Sequence, residues 1–234
     1  MQNVIYEAHE LFKNTGFDYA ICGGFAFDMY TGRTLRTHGD FDITVFKEDK
    51  HQAVNLLMGM GWQVYGRFME TGKPATNVLF YKVEDIAHSY WDDCINFWAI
   101  KPNCFPEMYK LPRLGGEVYS YKAGKFLVEN LEFIELEVDT RENGEYVARD
   151  NPRIALPMEK AILYREGIPY LAPEVVLFYK SDRFSFETPS VRPKTLQDFE
   201  TILPMLPAES KVWLQEAITK AYPDGCPWLE GIIM

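Results

Sequence analysis

Two aspartates separated by one residue, Asp40 and Asp42, are the side chains in this sequence best suited to chemistry. The surrounding stretch is apolar and typical of a strand, so both aspartates point to one face while Phe41 and Ile43 point to the other. Two carboxylates this close repel each other unless a cation lies between them. The pair therefore predicts a cation site.

A pair of glycines, Gly23-Gly24, precedes the aspartates. The glycines lie between a short apolar segment, residues 19–22, predicted as a strand, and a short predicted helix that begins at about Phe25. The backbone N–H groups of such a turn and of a helix N-terminus can bind an anion such as phosphate. A phosphate site beside a cation site indicates metal-assisted chemistry on a nucleotide.

Two familiar loop types do not fit these residues. An EF-hand loop that starts at Asp40 needs a glycine five residues later and a glutamate eleven residues later, where the sequence has Val45 and His51. A Rossmann turn needs spaced glycines and an acid near the end of the second strand, whereas here the glycines are adjacent and the acids begin the strand. The alternative is purely structural: Gly23-Gly24 form a tight turn, and Asp40 and Asp42 lie on a solvent-exposed strand edge.

Composition limits the class of protein. The 234 residues, of which 47% are hydrophobic and 25% charged, suffice for one large domain or two small ones with a real core. The net charge of −10 disfavours a nucleic-acid partner and is compatible with a small neutral or cationic substrate. No apolar run is long enough to span a membrane, no secretory signal is visible, and the scattered cysteines form no C-x-x-C pair. We therefore expect a cytoplasmic protein.

The order of the predicted elements indicates two parts. Strands and helices alternate up to about residue 150, and residues 131–139 form a strand in which Glu135, Glu137 and Asp139 share one face. After residue 150 the pattern becomes helical, and Thr195 with Asp198 has the spacing of a capping box. We expect an α+β domain over residues 1–150 and a helical domain over residues 151–234.

The whole stretch from Gly23 to Phe46 resembles the signature of the DNA polymerase beta-like nucleotidyltransferase superfamily. It is similar in particular to the branch of aminoglycoside 2''-adenylyltransferase-like and lincosamide nucleotidyltransferase-like proteins. The matching residues are Gly23-Gly24-Phe25, Ala26, Asp28, Gly32-Arg33 and Arg36-Thr37-His38-Gly39-Asp40-Phe41-Asp42. A weaker similarity continues over residues 168–206.

This resemblance implies a nucleotidyltransferase-type mixed sheet with flanking helices, followed by a smaller helical C-terminal domain. It implies transfer of a nucleoside monophosphate, with ATP as the nucleoside triphosphate donor, to a hydroxyl group. Asp40 and Asp42 would hold Mg²⁺, as a pair of ions, and a third carboxylate would come from a later strand. Glu135 is the best match for that metal ligand or general base. Glu137 and Asp139 lie on the same face of the predicted strand, so the alternation of side chains does not decide which of the three is the third carboxylate.

The resemblance also implies residues for the nucleotide. Gly23 and Gly24 would let the backbone approach the leaving pyrophosphate. Arg33 and Arg36 are placed to bind phosphate oxygens, with loop surface charges as the alternative.

Two further positions complete the predicted nucleotide site. His38 would contact the nucleotide or order its loop. Lys194, together with Lys180, matches basic positions of the family, and a surface lysine is the alternative for each.

The acceptor is expected to be a small molecule with a hydroxyl group, for which the resemblance suggests an aminoglycoside or a lincosamide. Residues 84–98 combine Tyr90, Trp91 and Trp98 with acids, which suits a sugar-like or cationic acceptor, although core packing explains aromatic side chains equally well. The rival hypothesis is a non-catalytic protein of the same fold that binds a nucleotide or metabolite, such as an antitoxin-like partner. A carboxylate from residues 133–139 close to both aspartates would favour the enzyme.

Overall fold

The structure is a computed structural model that describes residues 3–69, 78–85, 91–111, 118–121, 128–149, 151–182, 187 and 191–228. The described chain combines a large mixed sheet with helices on its faces. The helices are α1 (Asn3–Phe12), α2 (Gly23–Thr31), α3 (Lys50–Gly59), α4 (Met158–Ala161), α5 (Pro173–Lys180), α6 (Arg192–Ile202) and α7 (Ala208–Ala221). Short 3₁₀ turns cover Val83–Asp85 and Leu203–Met205. The predicted α+β class is confirmed.

The strands follow one another across the sheet in the order β11-β12-β1-β2-β8-β5-β3-β4-β7-β6, while β9 pairs with β8 and β10 with β9. Their bounds are β1 (Tyr19–Ile21), β2 (Asp42–Phe46), β3 (Gln63–Met69), β4 (Val78–Lys82), β5 (Asn96–Ile100), β6 (Met108–Lys110), β7 (Val118–Tyr121), β8 (Phe133–Glu142), β9 (Glu145–Val147), β10 (Ala155–Pro157), β11 (Ile162–Arg165) and β12 (Ile168–Leu171). The pairs β1–β12 and β2–β8 are parallel, and the other pairs are antiparallel.

The strands at the centre of the sheet are buried because their side chains are apolar on the packed face. Ile43 and Val45 of β2 and Ile134 and Leu136 of β8 are almost completely inaccessible to solvent. Helix α2 packs its Phe25 and neighbouring apolar side chains on the same core. Strand β2 begins at Asp42, so Asp40 precedes the strand, although the sequence pattern predicts both aspartates within it.

The residues after 150 differ from the helical pattern predicted for them. Strands β11 and β12 enter the main sheet, and β12 pairs in parallel with β1. Residues 162–164 and 168–171 are largely apolar and flank the two-residue turn Glu166-Gly167, where both φ angles are positive. A glycine-containing two-residue turn between such segments is a hairpin signal that the helical interpretation overlooked. The sheet therefore crosses the proposed division at residue 150, and that division stays a prediction.

Helix α6 also begins earlier than predicted. It starts at Arg192, with Pro193 in its first turn, so Thr195 lies inside the helix and caps nothing. Proline is favoured in the first helical turn because its missing N–H is not needed there. The capping-box prediction was wrong, and Asp198 is free to pair outside its own helix.

Candidate active site

The turn between β1 and α2 brings the backbone close to Asp42. The Cys22 amide donates to the Asp42 carbonyl oxygen over 3.0 Å, and the chain then turns at Gly23, whose φ is +59°. A Cβ atom at Gly23 would lie 1.8 Å from Oδ2 of Asp42. Both the left-handed backbone and the close approach require glycine at this position.

Gly24 is fixed by a different neighbour. A Cβ atom there would lie 2.3 Å from Nδ1 of His38. His38 is buried, and its Nε2 lies 2.8 Å from Oδ2 of Asp28, whose Oδ1 accepts a hydrogen bond from the Leu35 amide over 2.9 Å. These contacts join the loop that leads to Asp40 to helix α2, and the role of His38 stays a prediction.

Three carboxylates meet beside this turn. The parallel register of β2 and β8 places Glu135 directly opposite Asp42, and Asp40 immediately precedes β2. One carboxylate oxygen of each of the three residues lies within 4.8 Å of the other two. Oxygen ligands in this number and spacing suit a hard divalent cation such as Mg²⁺ or Mn²⁺.

The electrostatics of the group also favour a cation. Burial raises the pKa of Asp42 well above its usual range, and the charges of Asp40 and Glu135 add to the effect. Burial raises the pKa of Glu135 to about 7, and the nearby Glu137 contributes in the same direction. Carboxylates resist ionisation when they are buried together, and a divalent cation between them would reverse that preference.

The carboxylates open into a cavity of about 330 Å³ between the sheet and α5. Its described lining residues are Cys22, Gly23, Asp40, Asp42, Thr44, Glu135, Glu137, Arg149, Leu171, Val176, Tyr179 and Lys180. The N-terminus of α2 therefore lies at the same cavity as the carboxylates.

The predicted basic residues divide into two groups. Arg33 and Lys194 are exposed, and neither lines the described cavity. Arg36 donates through Nε and Nη2 to the two carboxylate oxygens of Asp198, over 2.9 and 3.0 Å. Lys180 lines the cavity, and its Nζ lies 3.2 Å from Oδ2 of the same Asp198. Among these four, the geometry places Lys180 alone at the cavity.

Several cavity residues escaped the sequence analysis. Arg149 pairs with Glu137 and Asp139, and the Tyr179 hydroxyl donates to Oδ1 of Asp139 over 3.2 Å. Lone arginines and tyrosines carry no motif, so the sequence offers no signal for them. Asp198 is not among the described lining residues, and the capping-box interpretation assigned it to its own helix.

The aromatic residues suggested for the acceptor pack within the protein instead. Trp91 stacks on His51 with ring centroids 4.7 Å apart. Trp98 packs on Phe80 and Phe133 at centroid distances of 4.5 and 5.0 Å. These contacts are those of a core, and Tyr90 lies outside the described residues.

Comparison with known proteins gives one family and several similar folds. Residues 4–73 match the model of the aminoglycoside-2''-adenylyltransferase family. No curated protein sequence gives a significant match. The crystal structure of ANT(2'')-Ia in complex with adenylyl-2''-tobramycin superposes with a TM-score of 0.53 at 15% identity, covering 93% of this chain and 98% of that one.

Two further structures are similar at a lower level. The crystal structure of the lincosamide antibiotic adenylyltransferase LnuA, lincomycin-bound, has a TM-score of 0.48 at 12% identity. The similarity covers 86% of this chain and 98% of that one. The crystal structure of an antigenic nucleotidyltransferase-like protein from Paracoccidioides brasiliensis has a TM-score of 0.43 at 18% identity. The similarity covers 98% of this chain and 89% of that one. The family match confirms the predicted resemblance and, with it, the prediction of a nucleotidyltransferase; the similarity to ANT(2'')-Ia confirms the fold.

Proposed function

We propose that this nucleotidyltransferase moves a nucleoside monophosphate from a nucleoside triphosphate, with ATP as the donor, to a hydroxyl group of a small molecule. The observation that supports the proposal is the meeting of Asp40, Asp42 and Glu135 within 4.8 Å at the cavity where α2 begins. A cation site and an anion-binding helix terminus are the two features that metal-assisted phosphoryl chemistry needs.

Asp40, Asp42 and Glu135 would hold Mg²⁺, because all three offer the oxygen ligands that this ion prefers. When bound, one or two Mg²⁺ ions would neutralise the triphosphate and polarise the oxygens of the attacking and leaving groups. The positive end of the α2 dipole and the Gly23 backbone face the same cavity, where they would attract phosphate oxygens. Lys180 adds a cation there.

The reaction is a displacement at the α-phosphorus. The acceptor oxygen forms a bond to the α-phosphorus. The bond from the α-phosphorus to the oxygen that bridges to the β-phosphorus breaks, and pyrophosphate leaves. The hydroxyl proton passes to a carboxylate. Glu135 suits this role because it lies opposite Asp42 and lines the cavity that the acceptor would enter.

The acceptor class rests on the family match. The matched family is described as an aminoglycoside 2''-adenylyltransferase, so aminoglycosides are the first acceptors to test. Lincosamides, which the sequence resemblance also suggests, are the second. The net charge of −10 suits a cationic acceptor and disfavours a nucleic acid.

None of the described helices has the length and apolar composition of a membrane-spanning segment.

The rival hypothesis was a non-catalytic protein on the same fold. It would be favoured if no acid of β8 lay close to Asp40 and Asp42. Glu135 lies within 4.8 Å of both, which favours the enzyme.

A pyrophosphate-release assay tests the proposal. Purified protein with ATP and Mg²⁺ should release pyrophosphate only when a suitable acceptor from a panel of aminoglycosides and lincosamides is added. Asp42→Asn should lower the rate by about two to three orders of magnitude, because metal-assisted charge stabilisation contributes several kcal/mol. Turnover by Asp42→Asn at the wild-type rate, or no turnover with any acceptor, would contradict the proposal.

A further inference from the structure

Strand β8 carries more acids than a cation site needs. Glu135, Glu137 and Asp139 all lie on one face, and Asn96 Nδ2 donates to both glutamates, over 2.7 Å to Glu135 Oε1 and 2.8 Å to Glu137 Oε1. Because both glutamates converge on one amide nitrogen, Glu137 is close enough to compete for a cation held by Glu135.

Arg149 pairs with the two acids that are not in the carboxylate group. Its Nη1 donates to Oε2 of Glu137, and its Nε donates to Oδ1 of Asp139 over 2.9 Å. Asp139 is completely buried and also accepts from Thr44 Oγ1 over 3.2 Å. One guanidinium therefore engages both acids, which suits the planar fork of arginine.

Tyr179 holds the guanidinium in place. The Cζ atom of Arg149 lies 4.5 Å from the centre of the Tyr179 ring, and the Tyr179 hydroxyl accepts from the Arg149 amide over 3.2 Å. The same hydroxyl accepts from the Tyr146 hydroxyl over 2.9 Å. An arginine constrained by a ring, two carboxylates and its own backbone is a fixed counter-charge that lines the cavity.

We propose that Arg149 is a positioning residue for the cation site: it holds Glu137 and Asp139 apart from the cation and leaves three carboxylates to bind it. It also removes negative charge from a cavity that must admit a triphosphate. This inference rests on the proposed function and concerns the same site.

The test separates cation binding from nucleotide binding. Mn²⁺ binding is measured by the electron paramagnetic resonance signal of the free ion, and binding of Mg²⁺-ATP by calorimetry. In Arg149→Met, the freed Glu137 should tighten Mn²⁺ binding about fivefold and weaken Mg²⁺-ATP binding about tenfold, because an unpaired negative charge attracts the first and repels the second. A purely structural role would weaken both together, and that result would overturn the proposal.

Two further variants keep the test decisive if Arg149→Met does not fold, which circular dichroism would show. Glu137→Gln should bind Mn²⁺ within about threefold of the wild type, while Glu135→Gln should bind it at least about tenfold more weakly. Equal losses in both variants would make Glu137 a ligand and overturn the proposal. The double variant Glu137→Gln with Arg149→Met should restore both affinities toward wild type.

The control for the proposed function is separate. Asp42→Asn should lose Mn²⁺ binding whatever the role of Arg149. If Asp42→Asn binds Mn²⁺ as the wild type does, the cation site itself is wrong. If Asp42→Asn and Glu135→Gln lose the ion but Arg149→Met behaves as a purely structural change, the inference about Arg149 alone fails.

Discussion

Glu135 lies directly opposite Asp42 across the parallel pair of β2 and β8. In the same register Thr44 lies opposite Glu137 and Phe46 opposite Asp139. Because side chains alternate along a strand with a period of two, a slip by two residues would keep these acids on the same face and place Glu137 opposite Asp42 instead. The register is therefore what selects Glu135 from three acids that the sequence leaves equivalent.

The raised pKa of Glu135 predicts a pH-dependent stability of the cation-free protein. Its pKa is about 7 in the folded state, against about 4.3 in an unfolded chain, so the folded state binds this proton more tightly. The resulting stabilisation is complete below about pH 4 and is lost as the pH rises through 7. Thermal unfolding in a chelator should therefore give a lower Tm at pH 8 than at pH 6.

Two variants and one addition check this origin of the pH dependence. Glu135→Gln should flatten the change in Tm between pH 6 and pH 8, and Asp42→Asn should reduce it, because burial raises the pKa of Asp42 in the same direction. Mn²⁺ should restore the Tm at pH 8, since a bound ion stabilises the folded state. A wild-type Tm that rises between pH 6 and pH 8 would contradict the assignment.

Gly23→Ala should both destabilise the protein and abolish cation binding. The methyl group would lie 1.8 Å from the Asp42 carboxylate, on a backbone with a φ of +59°. A strained non-glycine residue costs on the order of 1–3 kcal/mol before the displaced carboxylate is counted. Chemical denaturation and Mn²⁺ titration would measure the two effects.

Gly59→Ala is the matched control. Gly59 ends α3, and a Cβ atom there would meet nothing within 4 Å. Alanine is favoured over glycine in a helix by up to about 1 kcal/mol, so this variant should be as stable as wild type or more stable. Equal effects of the two substitutions would argue against a special role for Gly23.

The pair of Arg36 and Asp198 should contribute more to stability than any exposed ion pair. Asp198 is 2% exposed, and removing Arg36 would leave its carboxylate with Lys180 as its remaining cation. Breaking a buried pair by removing one partner costs about 3–5 kcal/mol. Arg36→Met should therefore lower the free energy of unfolding in urea by several kcal/mol, reduced somewhat by Lys180.

The exposed pair of Lys160 and Glu209 provides the comparison, because solvent screens surface ion pairs and they contribute little to stability. Lys160→Met should leave the urea concentration at the midpoint of unfolding unchanged within measurement error. If Arg36→Met were equally mild, the link between the loop before Asp40 and α6 would be unimportant for the fold.

Local sequence patterns predict more of the candidate site than of the strand order. The glycine pair, the aspartate pair and the acidic face of β8 depend on local chemistry and alternation, so the sequence reveals them. Which strands are neighbours depends on contacts between distant segments, so the entry of β11 and β12 into the sheet was missed. Arg149 and Asp198 are recognisable only by their partners, which lie far away in the sequence or carry no motif.

Lys180 and Lys194 both match basic positions of the family, and the geometry of the cavity chooses between them as the cation that binds the triphosphate. Lys180 lines the cavity, whereas Lys194 is exposed and outside its described lining. A hydrogen bond to a charged group contributes about 1.5–3 kcal/mol, so Lys180→Met should raise the KM for ATP at least about tenfold. Lys194→Met should leave it within about twofold. Inorganic pyrophosphate, used as an inhibitor, should lose affinity in the first variant and keep it in the second. A KM that rises in Lys194→Met and stays constant in Lys180→Met would show that the cavity lining does not identify the phosphate ligand.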